Sequence, residues 1–182
     1  MFMRQLLLLR HAKSSWDDSS TPDRDRPLAP RGRRAAAAIR EAMQGLGLAP
    51  DLVLVSPAAR TRETLETLSP WDEAPLIEVM DQLYLATATQ LLGALRAVPE
   101  TARSVMLVGH NPGLHDLAVL LLAGQDGAAP RQAMTHLKQG YPTGALAEFS
   151  IPGPWRQLAA GGGQLVRFLR PRDLSQDDPE IA

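Results

Sequence analysis

The stretch Leu6-Leu7-Leu8-Leu9-Arg10-His11-Ala12 decides how the chain is read. Four consecutive apolar side chains without alternation are the pattern of a strand buried on both faces of a parallel sheet. The run is far shorter than a signal-peptide core or a membrane-spanning helix. It ends abruptly in Arg10 and His11, two side chains with chemistry of their own. We read it as the first, central strand of an α/β domain.

The pattern repeats outward from there. Residues 14–30, rich in Ser, Asp and Pro, read as a loop, and Arg31 to Leu46, Ala-rich and ending near Gly45 and Gly47, as a crossover helix. Asp51 to Val55 is a second buried strand. Ser56-Pro57 marks a strand-to-helix turn, with Pro57 suited to the first helical turn and the helix running to about Leu68. Leu76 to Val79 is a weaker strand, Ala88 to Val98 a third helix, and Ser104 to Val108 a third strong strand. That strand breaks at Gly109-His110-Asn111-Pro112-Gly113 before a helix over 114–122. Ala145 to Ile151 and Gln164 to Leu169 read as strands flanking Gly161-Gly162-Gly163, an antiparallel pair or edge on a mostly parallel sheet. The region around His136 takes no assignment.

Size and charge bound the answer. At 182 residues against roughly 150 per domain, one core is expected. With 45% hydrophobic and 21% charged residues the chain is no disordered polymer, and one of this length buries about 70% of its unfolded surface. Nineteen Lys and Arg against 20 Asp and Glu give a net charge of -1, too balanced for the broad positive field of non-specific nucleic-acid binding. The absence of cysteine excludes a disulfide framework, a thiol nucleophile and Cys-ligated zinc. The expectation is a cytoplasmic protein with neither nucleic acid nor membrane as partner.

Three strands end in Arg10-His11, in Ser56-Pro57 followed by Arg60, and in Gly109-His110. Ligands of open α/β sheets bind beyond the carboxyl ends of the strands, so these residues would converge there. Imidazole is a neutral nucleophile near pH 7 and guanidinium forks match phosphate oxygens, so two His with two Arg suit in-line attack on phosphorus. The helix after Ser56-Pro57 would add its N-terminal dipole. Two arginines beside the two imidazoles would repel a divalent cation, and no carboxylate stands at a ligand-like spacing, so neither metal nor cofactor is expected.

At these residues the chain resembles the histidine phosphatase, or phosphoglycerate mutase-like, superfamily. The resemblance is carried by Leu-Leu-Leu-Leu-Arg10-His11-Ala12-Lys13-Ser14-Ser15-Trp16, by Val-Ser56-Pro57-Ala-Ala-Arg60-Thr-Arg-Glu-Thr64, and by Val-Gly109-His110-Asn111-Pro112-Gly113, in the family's order. Pro27-Leu28 with Gly32 is similar to its entry to the first helix. The likeness covers about residues 5–171 and is strongest to the SixA-type branch, which Pro142-Thr143-Gly144-Ala145-Leu146-Ala147 and Leu169-Arg170-Pro171 also resemble. It implies a three-layer α/β/α sandwich with a mostly parallel sheet, a histidine phosphatase domain over 1–172, and an acidic tail over 173–182. It further implies a phosphoryl acceptor at His11, a phosphate clamp of Arg10 and Arg60, and a further donor at His110.

One departure bears on substrate. Relatives acting on alcohol phosphates carry a Glu where this chain has Leu85, within Asp81-Gln82-Leu83-Tyr84-Leu85. An alkoxide leaves poorly without a proton, whereas the imidazole of a phosphohistidine leaves a labile P–N bond. The gap favours an N-phosphorylated substrate, and the first reading is phosphohistidine on a protein, such as a histidine-phosphorylated signalling protein. Asp81 is the nearest substitute acid, and Asp17 stands where many relatives have an Asn after Trp; both are candidate substrate contacts. The short stretch between Arg60 and His110 leaves no room for a large lid. A small-molecule phosphomonoesterase of the same mechanism, or a phosphate- or phosphoprotein-binding module without turnover, are the competing readings. His115, Arg31, Arg33, Arg34 and Trp16 read as packing or surface residues, with a phosphorylated partner as the alternative for Arg31, and Thr143 lies near the pocket by resemblance alone.

Overall fold

The computed structural model describes residues 3–124 and 130–174. Its strands are β1 (Arg4–Arg10), β2 (Leu52–Val55), β3 (Leu76–Val79), β4 (Ser104–Gly109), β5 (Leu146–Ile151) and β6 (Gln164–Leu169). The helices are α1 (Pro30–Gly45), α2 (Ala59–Thr67), α3 (Ala88–Arg96), α4 (Gly113–Leu121), α5 (Arg131–Gln139) and α6 (Pro171–Leu174). The six strands form one sheet in the order β3-β2-β4-β1-β5-β6. β3, β2, β4 and β1 run parallel, while β5 is antiparallel to both β1 and β6.

The leucine run explains the layers. Side chains alternate across a strand, so Leu6 and Leu8 enter one core with Leu91 and Leu95 of α3, Leu114 and Leu117 of α4, and Leu137 of α5. Leu7 and Leu9 enter the opposite core with Ile39 and Met43 of α1 and Leu65 of α2. All four leucines are fully buried, each worth about 1.5–3 kcal/mol of transfer free energy. A strand apolar on both faces belongs between two helical layers, and β1 occupies that position, between β4 and β5. β3 lies at the sheet edge with Leu76, Ile77 and Val79 exposed, the weaker strand its short apolar run suggests.

The structure adds detail beyond the pattern. The unassigned region around His136 is α5, whose buried residues are only Ala133 and Leu137, too few to announce a helix. The glycine-flanking strands do pair antiparallel, and β5 lies next to the central strand, with Leu6 opposite Phe149. α2 begins at Ala59 after the cap residue Ala58, so Pro57 precedes the helix and does not open its first turn. The Thr61 hydroxyl, 2.7 Å from the carbonyls of both Ser56 and Ala58, holds that longer turn. The segment 14–30 folds back through a Ser14–Leu28 bridge and a single 3-10 turn at Asp23–Asp25. Asp173 lies in α6 and pairs with Arg170; the remainder of the tail, 175–182, lies outside the described residues. Among the described residues no helix is long and apolar enough to cross a membrane.

Candidate active site

Parallel pairing aligns the strand ends. Arg10 lies opposite Gly109 and Val55 opposite Val108, so Ser56, His11 and His110 emerge together at the carboxyl ends of the parallel strands. Backbone bonds from His11 N to Gly109 O and from Ser56 N to Val108 O, both 3.1 Å, continue the ladder into the site. The His11 and His110 ring centroids are 5.2 Å apart.

His11 is held by its neighbours. Its Nδ1 lies 2.7 Å from the Ala12 carbonyl, and because a carbonyl only accepts, the ring proton sits on Nδ1 and the lone pair on Nε2. Burial pulls the ring pKa down to about 4, opposed by the Ala12 carbonyl and reinforced by Arg60, Arg10 and Arg26. The result is a neutral, oriented imidazole. Thr64 ties this loop to α2: its hydroxyl accepts from Ala12 N at 3.0 Å and donates to Arg60 O at 2.6 Å.

His110 faces Arg60, whose Nη2 lies 3.5 Å from Nδ1. A guanidinium only donates, so Nδ1 holds the lone pair and Nε2–H donates to Ser56 Oγ at 2.7 Å. Burial, then His11 and Arg60, lowers its pKa to about 3. Arg10 donates to the Tyr141 carbonyl at 2.7 Å, and burial together with Arg60 lowers its pKa as well. Two guanidiniums and two neutral imidazoles thus converge with an excess of positive charge. α2 adds its own N-terminal dipole to that field.

The four residues anticipated as the catalytic set are therefore brought together. The other two candidates are placed differently. Asp17 accepts from Ser15 Oγ at 2.6 Å in its own exposed turn, and Asp81 is exposed and ion-paired with Arg24 at 2.6 Å. Arg33 pairs with Glu63 at 2.6 Å, and Trp16 lies exposed with its ring 3.5 Å from the Arg26 guanidinium carbon. Thr143 precedes Gly144, whose N–H bonds the carbonyls of Arg10 and His11. Among the described residues no three His, Cys, Asp or Glu side chains gather as a metal site.

Sequence reasoning overlooks Asp23 and Tyr84. Asp23 Oδ2 accepts from Arg60 at 3.0 Å and from Tyr84 Oη at 2.6 Å, while Oδ1 accepts from Arg26 at 2.9 Å. The Tyr84 hydroxyl above all, with Arg26 and Arg60, holds the Asp23 carboxyl far below the usual carboxylate range. Tyr84 also stands edge-on to His110, ring centroids 5.5 Å apart. Gly113 allows this approach, since a Cβ there would collide with the Ala86 carbonyl. The only advance signal for Tyr84 is its place inside the segment that contains Leu85.

Known proteins resemble this chain over most of its length. The sequence model of the histidine phosphatase superfamily (branch 1) matches residues 6–83. An uncharacterized protein of Mycobacterium tuberculosis is 32% identical over 166 residues, covering 90% of this chain and 100% of its own. A structure from Nakamurella multipartitia, provisionally assigned as phosphohistidine phosphatase SixA, superposes with a TM-score of 0.81 at 32% identity, covering 94% of this chain and 98% of that one. A similarly assigned SixA from Agrobacterium tumefaciens gives 0.76 at 30% identity, covering 93% and 99%.

Proposed function

The chain belongs to the histidine phosphatase superfamily, and on that premise we propose that it dephosphorylates phosphohistidine carried on a protein, through a phosphohistidine of its own at His11. The Nε2 lone pair attacks phosphorus, the P–N bond to the substrate imidazole breaks, and its electron pair stays on the leaving nitrogen, the ring departing as neutral imidazole because its other nitrogen already carries a proton. Water then attacks the His11-bound phosphorus, and the P–Nε2 bond breaks to release inorganic phosphate and the free ring. Arg10 and Arg60 bind the phosphoryl oxygens, where preorganised donors act on developing charge. A phosphoryl dianion beside His110 favours a second proton on that ring, which makes Nδ1 a donor while Nε2–H stays on Ser56.

The observation that carries the choice of substrate is Asp23. It is the carboxylate next to the imidazoles, and its partners keep it ionised at neutral pH. An ionised carboxylate has no proton to give an alkoxide. The position where relatives acting on alcohol phosphates carry Glu is Leu85, which is half exposed. A leaving imidazole needs less help. Rapid quench with labelled phosphohistidine protein tests the reading: acid-labile, base-stable label should appear in the His11 peptide and be lost in His11→Ala. Label elsewhere, or a clear preference for sugar phosphates, would overturn it.

A further inference from the structure

Arg10 serves two places at once. Its charge acts on His11 and His110, and its side chain also lines a neighbouring open cavity of about 400 Å³ together with Asn111, His115, His136, Arg170 and Arg172. This cavity lies where α4, α5 and the start of α6 meet the Tyr141 turn. The Tyr141 carbonyl accepts from both Arg10 and Asn111 Nδ2, at 2.7 and 2.9 Å, and its hydroxyl is anchored on Leu8 O at 2.5 Å. The wall shared by the two sites is therefore fixed to the central strand.

The charges of this cavity do not balance. Arg170 is buried and committed, donating to both oxygens of Asp173 at 2.6 and 2.8 Å and to His136 Nε2 at 2.9 Å. That is the one carboxylate paired with the lining arginines among the described residues. Arg172 reaches it only at 4.0 Å with half its side chain exposed, and among the described residues Arg10 is paired with none, its Nε buried without an acceptor. Among the described residues no Asp or Glu lines the cavity. Among the described residues, three guanidiniums against one carboxylate, beside a second basic site, form a field that selects anions.

We propose that this cavity is a second anion subsite, which takes a carboxylate or phosphate group carried on the same substrate beside the transferred phosphoryl group. The proposal rests on the phosphatase reading only in that this substrate meets His11 with its phosphoryl group. The second anion comes either from an acidic side chain flanking the phosphorylated residue of a protein or from a second acidic group of a small phosphorylated molecule. Arg10 touches both anions and sets their spacing. Arg172, exposed at the rim, supplies attraction without structural duty.

Two matched substrate pairs test this. One is an aryl phosphate with and without a ring carboxylate; the other is a set of N-phosphohistidine peptides with Glu or Ala beside the phosphorylated residue. The acid-bearing member should be preferred about tenfold in kcat/KM, mostly through KM, as one added charge-assisted contact gives. Arg172→Gln should bring that ratio close to one and Arg172→Lys should retain most of it. Preference in the aryl pair alone assigns the subsite to small molecules, and in the peptide pair alone to proteins. No preference in either pair, or a ratio indifferent to Arg172→Gln, overturns the subsite. Failure to turn over any phosphohistidine peptide while the aryl pair keeps its ratio overturns the phosphohistidine reading and leaves the subsite standing.

Discussion

Asp23 lays its carboxylate 3.0 Å from the guanidinium of Arg60, on the very group that would hold a phosphoryl oxygen. Carboxylate and phosphoryl compete for one guanidinium, so binding of phosphate displaces or shares that contact. Asp23→Asn removes the competing charge and keeps the shape. Inorganic phosphate should then inhibit several-fold more strongly, a modest change because Asp23 is half exposed and screened. Product-inhibition constants at fixed ionic strength measure it. Weaker phosphate binding in the variant would show that Asp23 positions Arg60 and does not compete with the anion.

Thr64 supports a stability prediction. Its hydroxyl satisfies the buried Ala12 N–H and also bonds Arg60 O. Thr64→Val keeps the shape and strands that donor, which costs about 1–3 kcal/mol. Urea unfolding should show this loss with an unchanged m-value, and kcat should fall because His11 and Arg60 lose their common tether. Thr64→Ser, which restores the hydroxyl, should recover most of both. A Val variant as stable and as active as wild type would remove Thr64 from the account.

The two imidazoles predict a direction of pH dependence. Their folded pKa values, about 4 for His11 and about 3 for His110, lie below the unfolded 6.5. Between those values the unfolded chain binds more protons than the folded one, so stability rises with pH there and falls on acidification. Above pH 6.5 both rings are neutral in both states and contribute no slope. Unfolding free energy should therefore decline as pH drops from about 6.5 toward 4, with a shallower decline in His11→Gln. The acid limb of kcat/KM, which reports the free enzyme, should lie near the lowered value. An acid limb centred at 6.5 would contradict a buried, neutral nucleophile.

The parts of this molecule differ in how far the sequence discloses them. Leu6 to Leu9 disclose the central strand because a segment apolar on both faces has one stable place, between two helical layers. His11, Arg60 and His110 are legible because each follows a strand of that kind, and parallel strands bring their carboxyl ends together. Asp23 is not legible: it is one acid among several in a polar segment, and the Ser14–Leu28 bridge with the backbone bonds beside it, Ser15 N to Pro27 O and Ala29 N to Lys13 O, folds it back onto Arg60. Tyr84 depends on the contact between Gly113 and Ala86, which joins segments remote in the chain. α5 hides because two buried side chains in nine residues leave a weak apolar stripe. The position of β5 beside β1 is likewise a choice of ladder partner, on which strand periodicity is silent.

Leaving-group chemistry gives the sharpest test of substrate. Asp81 is exposed and bound to Arg24, Tyr84 donates its hydroxyl hydrogen bond to Asp23 at 2.6 Å, and Leu85 has no acidic proton. With no carboxylic acid at the leaving atom, rates should fall steeply as leaving-group basicity rises. General acid catalysis contributes about 10²–10⁴-fold, so phosphohistidine or phosphoramidate should exceed an alkyl phosphate by at least the lower figure in kcat/KM. Leu85→Glu should raise the alkyl ester selectively if its carboxyl reaches the scissile oxygen. Asp81→Asn and Tyr84→Phe locate any residual acid, since loss of a true donor harms alkyl esters more than activated aryl esters. Equal turnover of alkyl and N-phosphoryl substrates by the wild type would refute the substrate inference and leave attack by His11 untouched, because the nucleophile's lone pair and its two guanidiniums do not depend on what departs.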